Sequence, residues 1–163
     1  MIQLFTELQE KKNVRSNLSA LRASLKEATE EQKAQAIEFV RGHEDLVFGF
    51  LQEEDAKTRK NAALLLGDLA VQNALQPLWK AYTREQTLFV KSAYLEAMKA
   101  LHAEEILSQL KDRLAELEGE PVTEENRKHW EAELRALRAI LIQYEGIDTH
   151  HFDIKQKNNH VLL

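Results

Sequence analysis

The chain has 163 residues, 44% hydrophobic and 30% charged, with five glycines, two prolines, no cysteine and a formal net charge of −5. So few turn formers exclude a hairpin-rich β architecture, and without cysteine there are no disulfides, thiolate metal sites or thiol nucleophiles. No run approaches the ~20 apolar residues that span a bilayer, and the acidic balance counts against a duplex-binding surface, whose affinity rests on neutralising phosphates.

Ala, Leu, Glu, Lys and Gln dominate. These are the residues a helix accommodates at least cost, so the expected fold class is all-α. Met1 to Lys12 mixes apolar and charged residues without the apolar core of a signal peptide, and a cytoplasmic setting is expected.

Apolar residues then recur at helical spacing. Val14, Leu18, Leu21 and Leu25 form a first stripe. Thr29 reads as an N-cap with Glu30 and Glu31 in the first turn, opening a second helix through Ala36, Ile37, Phe39 and Val40 to Gly42. A third helix is predicted over Glu44–Gln52 and, after the polar turn Glu53-Glu54-Asp55, a fourth over Ala56–Val71. The fifth covers Asn73–Thr83, with Pro77 in its first turn where a missing amide hydrogen does little harm. Trp79 and Tyr82 fall on its inward face. The sixth runs over Thr87–Leu101 and the seventh over Ala103–Leu117. Gly119-Glu120-Pro121 interrupts the pattern. Thr123 then caps an eighth helix, whose stripe Trp130, Leu134, Leu137, Leu141 and Tyr144 runs to Gly146.

The sequence also repeats itself. Leu46–Leu69 superposes on Leu78–Leu101 with one offset and no gap. Phe50 falls on Tyr82, Leu66 on Met98, Glu53 on Glu85 and Arg59 on Lys91. The run from Glu53 to Leu69 (an acidic turn, Thr58-Arg59, the alanine pair Ala62-Ala63, then Leu66-Gly67) resembles the turn and second helix of a HEAT repeat. The second copy keeps Val90-Lys91 but has Tyr94-Leu95 for the alanines and Thr87 for Asp55. The resemblance is specific over 44–101, and the hairpins over 14–41 and 103–145 match it in helix count and apolar spacing.

The resemblance implies an α-solenoid of about four helical hairpins wound into a right-handed superhelix, occupying residues 1–147. Such hairpins bury their apolar faces only by stacking, and their second helices line a concave face. Lys60, Leu64 and Asp68 would then neighbour Ser92, Glu96 and Lys99 on that face and form the candidate partner-binding residues. Glu53 with Arg59, and Glu85 with Lys91, are placed to pair across the turn or with the adjacent repeat, bracing the stack.

The five glycines are isolated, so no phosphate-cradling loop occurs, and neither G-x-S-x-G nor H-E-x-x-H is present. His150-His151 with Asp153 and His160 makes a poor chelate, because adjacent side chains of an extended segment point to opposite sides. No catalytic residue, metal or cofactor is expected. The function expected is protein binding or scaffolding, without catalysis. HEAT-like folds also include excision enzymes for alkylated bases, but the acidic charge and the glutamates interleaved with Arg127, Lys128, Arg135 and Arg138 argue against a DNA clamp.

Residues 148–163 depart from the helical pattern. His151–Lys157 alternates and Asn158-Asn159 signals a turn before Val161-Leu162-Leu163, which reads as an extended tail opening a further domain. The tail resembles the lead-in strand of bacterial RNA methyltransferases. That likeness implies a second reading, an N-terminal accessory domain positioning RNA for a modifying enzyme.

Overall fold

The computed structural model describes residues 1–145, the last two by backbone alone. The expected tail, the end of the last helix at Gly146 and the histidines of the tail lie outside the described residues. All regular structure among those described is helical, with nine α-helices, three short 3-10 segments and no strand. They fall into two compact units, Met1–His102 and a second beginning at Ala103.

The first unit holds α1 (Ile2–Gln9), α2 (Val14–Leu25), α3 (Glu30–Gly42), α4 (Glu44–Gly49), a 3-10 segment (Phe50–Gln52), α5 (Ala56–Asp68), a second 3-10 segment (Gln72–Ala74), α6 (Leu75–Arg84) and α7 (Leu88–Lys99). The caps follow side-chain chemistry. Thr29 Oγ1 accepts from the Gln32 amide at 3.1 Å while the Gln32 side chain accepts from the Thr29 amide at 3.0 Å, a reciprocal capping box. Asp55 accepts from both the amide and the hydroxyl of Thr58, at 2.9 and 2.8 Å.

Two departures from the sequence reading have one cause. Helix α5 stops at Asp68 rather than Val71, because Ala70 takes a left-handed conformation (φ 50°) and the Val71 amide turns back to Leu66 O at 3.0 Å. Helix α1, which the reading did not contain, closes the same way, with Lys11 at φ 56° and the Lys12 amide on Glu7 O at 2.9 Å. Glycine is the usual residue in this closure, so alanine and lysine there give no sequence signal. Ala70→Gly removes the left-handed penalty and is expected to raise stability by about 0.5–1 kcal/mol, the net of that relief and the extra entropy of a glycine in the unfolded chain. A lower midpoint in urea for the variant would refute this.

Helices α2, α5 and α7 form one layer and run in the same direction. Arg15 meets Asp55 at 3.3 Å where α2 and α5 begin, and Arg22 meets Asp68 at 2.7 Å near their ends. Between α5 and α7 the approach is so close that a Cβ on Gly67 would lie 2.9 Å from Ala97 Cα. Buried positions of α5 (Ala62, Ala63, Leu65, Leu66) recur in α7 as Tyr94, Leu95, Ala97 and Met98, the offset that places Leu66 on Met98. Each member of the layer has its own companion: α1 packs on α2, the Phe50–Gln52 segment on α5, and α6 on α7. The hairpin over 14–41 is therefore partnered differently from the sequence reading. Helix α2 packs on α1 and α5, while α3 stacks Phe39 on Phe5 of α1 at 4.5 Å between ring centres.

The second unit comprises a 3-10 segment (Ala103–Ile106), α8 (Leu107–Gly119) and α9 (Arg127–Glu145). Leu110, Leu114, Leu117, Leu134, Leu137 and Leu141 are buried. The Trp130 indole donates to Leu117 O at 2.6 Å, and Arg113 forks onto Glu133 at 2.8 and 3.0 Å. Thr123 and Asn126 exchange side-chain-to-amide bonds of 3.2 and 2.7 Å, so Thr123 caps a turn that feeds α9 one turn later than expected.

Candidate functional site

The six residues singled out by the repeat register lie on the two adjacent helices α5 and α7. Asp68, Ser92, Glu96 and Lys99 are exposed, and Lys60 and Leu64 are half-buried. Asp68 is not left for a ligand, since Arg22 Nε of α2 donates to it at 2.7 Å. Arg22 thus joins this surface although no spacing in the sequence linked it to α5. Phe89 extends the α7 stripe by one turn and is 41% exposed.

The helix turns of the first unit are locked by a charged network. Arg59 Nε and Nη2 each donate to one carboxylate oxygen of Glu85 at 2.9 Å, the planar fork that guanidinium and carboxylate share. Arg59 Nη1 donates to the carbonyls of Glu53 and Glu54, both at 2.8 Å. Glu85 also accepts from the Thr87 amide at 3.1 Å and from the Tyr94 hydroxyl at 3.2 Å. Of the two pairings open to Arg59 in the sequence, the structure selects the one to the following turn. The Glu53 side chain takes no part, and Lys91 sits over the Tyr82 ring at 5.1 Å.

The electrostatics of the network have a definite sign. Burial acts to raise the Glu85 carboxyl, but the Arg59 fork and the Thr87 amide outweigh it and hold Glu85 below the usual carboxylate value. Burial, together with the Glu85 charge, pushes the Tyr94 hydroxyl upward, so it stays a donor. Arg59 is raised chiefly by its bonds to Glu85.

Beside this network lies a groove of about 630 Å³ between the α4 end and α6, with Phe48, Leu51, Pro77 and Ala81 among its lining and Arg59, Glu85 and Tyr94 at its base. The repeat register marks Glu53, Arg59 and Glu85 of its lining as bracing charges and does not bring out the groove, because the remaining walls come from α4 and α6. Tyr82 is buried as expected, whereas Trp79 is half-buried and tilted against it at 5.4 Å. Among the described residues no group of histidines and carboxylates is placed to hold a metal, and none of the helices is long and apolar enough to cross a membrane.

Comparison with protein-family models, curated proteins and solved structures finds no match to this chain.

Proposed function

We propose that this chain is a HEAT-like α-solenoid module that binds or scaffolds a protein partner in the cytoplasm and performs no catalysis itself. The observation that carries the reading is the one-directional layer of α2, α5 and α7, with buried positions of α5 and α7 recurring at the offset of the sequence repeat. In a stack of hairpins each unit buries its apolar face only against the next, which leaves one long solvent-facing surface per layer for recognition. The half-buried pair Lys60 and Leu64, next to Ser92, Glu96 and Lys99, supplies the mixed polar and aliphatic character of a non-obligate interface.

The test is affinity capture from native lysate, with and without nuclease, using the wild type and the double charge reversal Lys60→Glu/Lys99→Glu. A defined protein that survives nuclease and is lost, by about tenfold or more, from the variant is the expected result. Helicity by circular dichroism should not change, because neither lysine is fully buried. Unchanged capture removes this face from the site. Capture that depends on RNA replaces the reading with the accessory-domain one.

A further inference from the structure

We propose that the groove between α4 and α6 is a second recognition site, for a short linear segment of a partner protein in which an apolar side chain is flanked by one basic and one acidic residue. The proposal shares with the reading above only the premise that the chain binds protein, and it concerns a different surface.

Charge on the two walls carries the argument. Glu53 and Glu54 stand on the wall that follows the Phe50–Gln52 segment, and Lys80 and Arg84 stand on the α6 wall. All four are exposed. None forms an ion pair within the described residues, although the fold places both signs around one cleft. The charged base of the groove is different, because Arg59 and Glu85 consume each other. What the groove offers a ligand is thus two unlike rims over an apolar middle, where Phe48, Leu51 and Pro77 line it.

The walls are also held in place before any ligand arrives. Arg59 Nη1 grips the carbonyls of both Glu53 and Glu54, so the acidic rim is fixed by its backbone while its side chains stay exposed. Pro77, Lys80, Ala81 and Arg84 share one face of α6, at the i, i+3, i+4 and i+7 spacing, so the opposite wall is one helical surface. Preorganisation of this kind reduces the ordering cost of binding. The volume lies in the range of preformed ligand clefts and takes a few side chains, not a domain. Unlike rims disfavour nucleic acid, because a polyanion would meet Glu53 and Glu54 as well as the cations.

The test uses phage-displayed heptapeptides with a fixed central leucine, selected on the full chain. Selection on the wild type should enrich peptides with a basic residue on one side of the leucine and an acidic residue on the other. On Lys80→Glu/Arg84→Glu the acidic requirement should be replaced by a second basic one, and on Glu53→Lys/Glu54→Lys the basic requirement by an acidic one. By fluorescence anisotropy each reversed wall should weaken the wild-type peptide at least about tenfold, whereas Lys60→Glu/Lys99→Glu should bind it normally. No enrichment, enrichment of peptides of one sign only, or the same peptides selected on the reversed walls would each overturn the proposal. The lysine variant separates the two surfaces, so either can fail alone. All four groove side chains are exposed, and circular dichroism on each variant checks that folding is intact.

Discussion

Arg59→Leu is expected to lower the stability of the first unit by about 3 kcal/mol, the low end of the cost of leaving one member of a buried ion pair behind. The low end applies because Glu85, 5% exposed at its side chain, keeps the Thr87 amide and the Tyr94 hydroxyl as donors. Glu85→Gln preserves most of the hydrogen-bonding shape but removes the charge, and should cost about 1–2 kcal/mol. Arg59→Leu/Glu85→Leu should recover much of the single-variant loss, since a pair replaced together leaves no orphaned charge. Urea unfolding followed at Trp79 in a Trp130→Phe background reads the first unit alone, and the cycle of variants isolates the coupling. Additive losses would mean that the fork contributes nothing beyond two separate side chains.

The same pair fixes a pH dependence. Because the folded value of Glu85 is depressed, the carboxylate contributes stability that is fully present above the ordinary value of 4.5 and is lost as pH falls from there through the folded value. The difference between the wild type and Glu85→Gln should stay level from neutral pH down to about 5 and shrink below 4.5. A difference that stays level into strong acid would show that the fork does not stabilise the ionised form.

Much of the helical layout was legible because it rests on local chemistry. Thr29 and Asp55 cap where their side chains allow it, and the stripes of Leu18, Leu21 and Leu25 or Leu134, Leu137 and Leu141 bury one helix face each. The rest of the fold depends on residues that carry no local mark. Helix α1 has a single fully buried residue, Leu8, no side-chain cap and a lysine at its left-handed end, so nothing distinguishes it from a ragged terminus. Partner choice among charges is tertiary: the repeat register offered Arg59 two acceptors, and only the packing of α6 and α7 brings Glu85 to it. Arg22 and Asp68 share no motif at all, and meet because α2 lies along α5. The groove is illegible for the same reason, since its charged rims come from a turn and a helix that the alignment of repeats treats as unrelated positions.

Gly67 is where close packing should have its largest single-residue effect. In an exposed helix interior, glycine to alanine stabilises by about 1 kcal/mol. Here the new methyl would stand 2.9 Å from Ala97 Cα and 3.3 Å from its Cβ, and a backbone atom of a packed helix cannot swing aside as a flexible side chain does. Helix α7 must move as a body, loosening the packing around Leu66, Met98 and Ala63, which are fully buried. Gly67→Ala is therefore expected to destabilise by about 1 kcal/mol net, and Gly67→Val by about 3 kcal/mol, since it adds bulk and a stiffer side chain against the same atom. Gly49 supplies the control, because a Cβ there meets nothing within 4 Å. Gly49→Ala should be neutral or stabilising by up to about 1 kcal/mol. Thermal melts of the three variants decide the matter: if Gly67→Ala melts at or above Gly49→Ala, the α5–α7 approach has slack, and the glycine is not what sets the spacing of the layer.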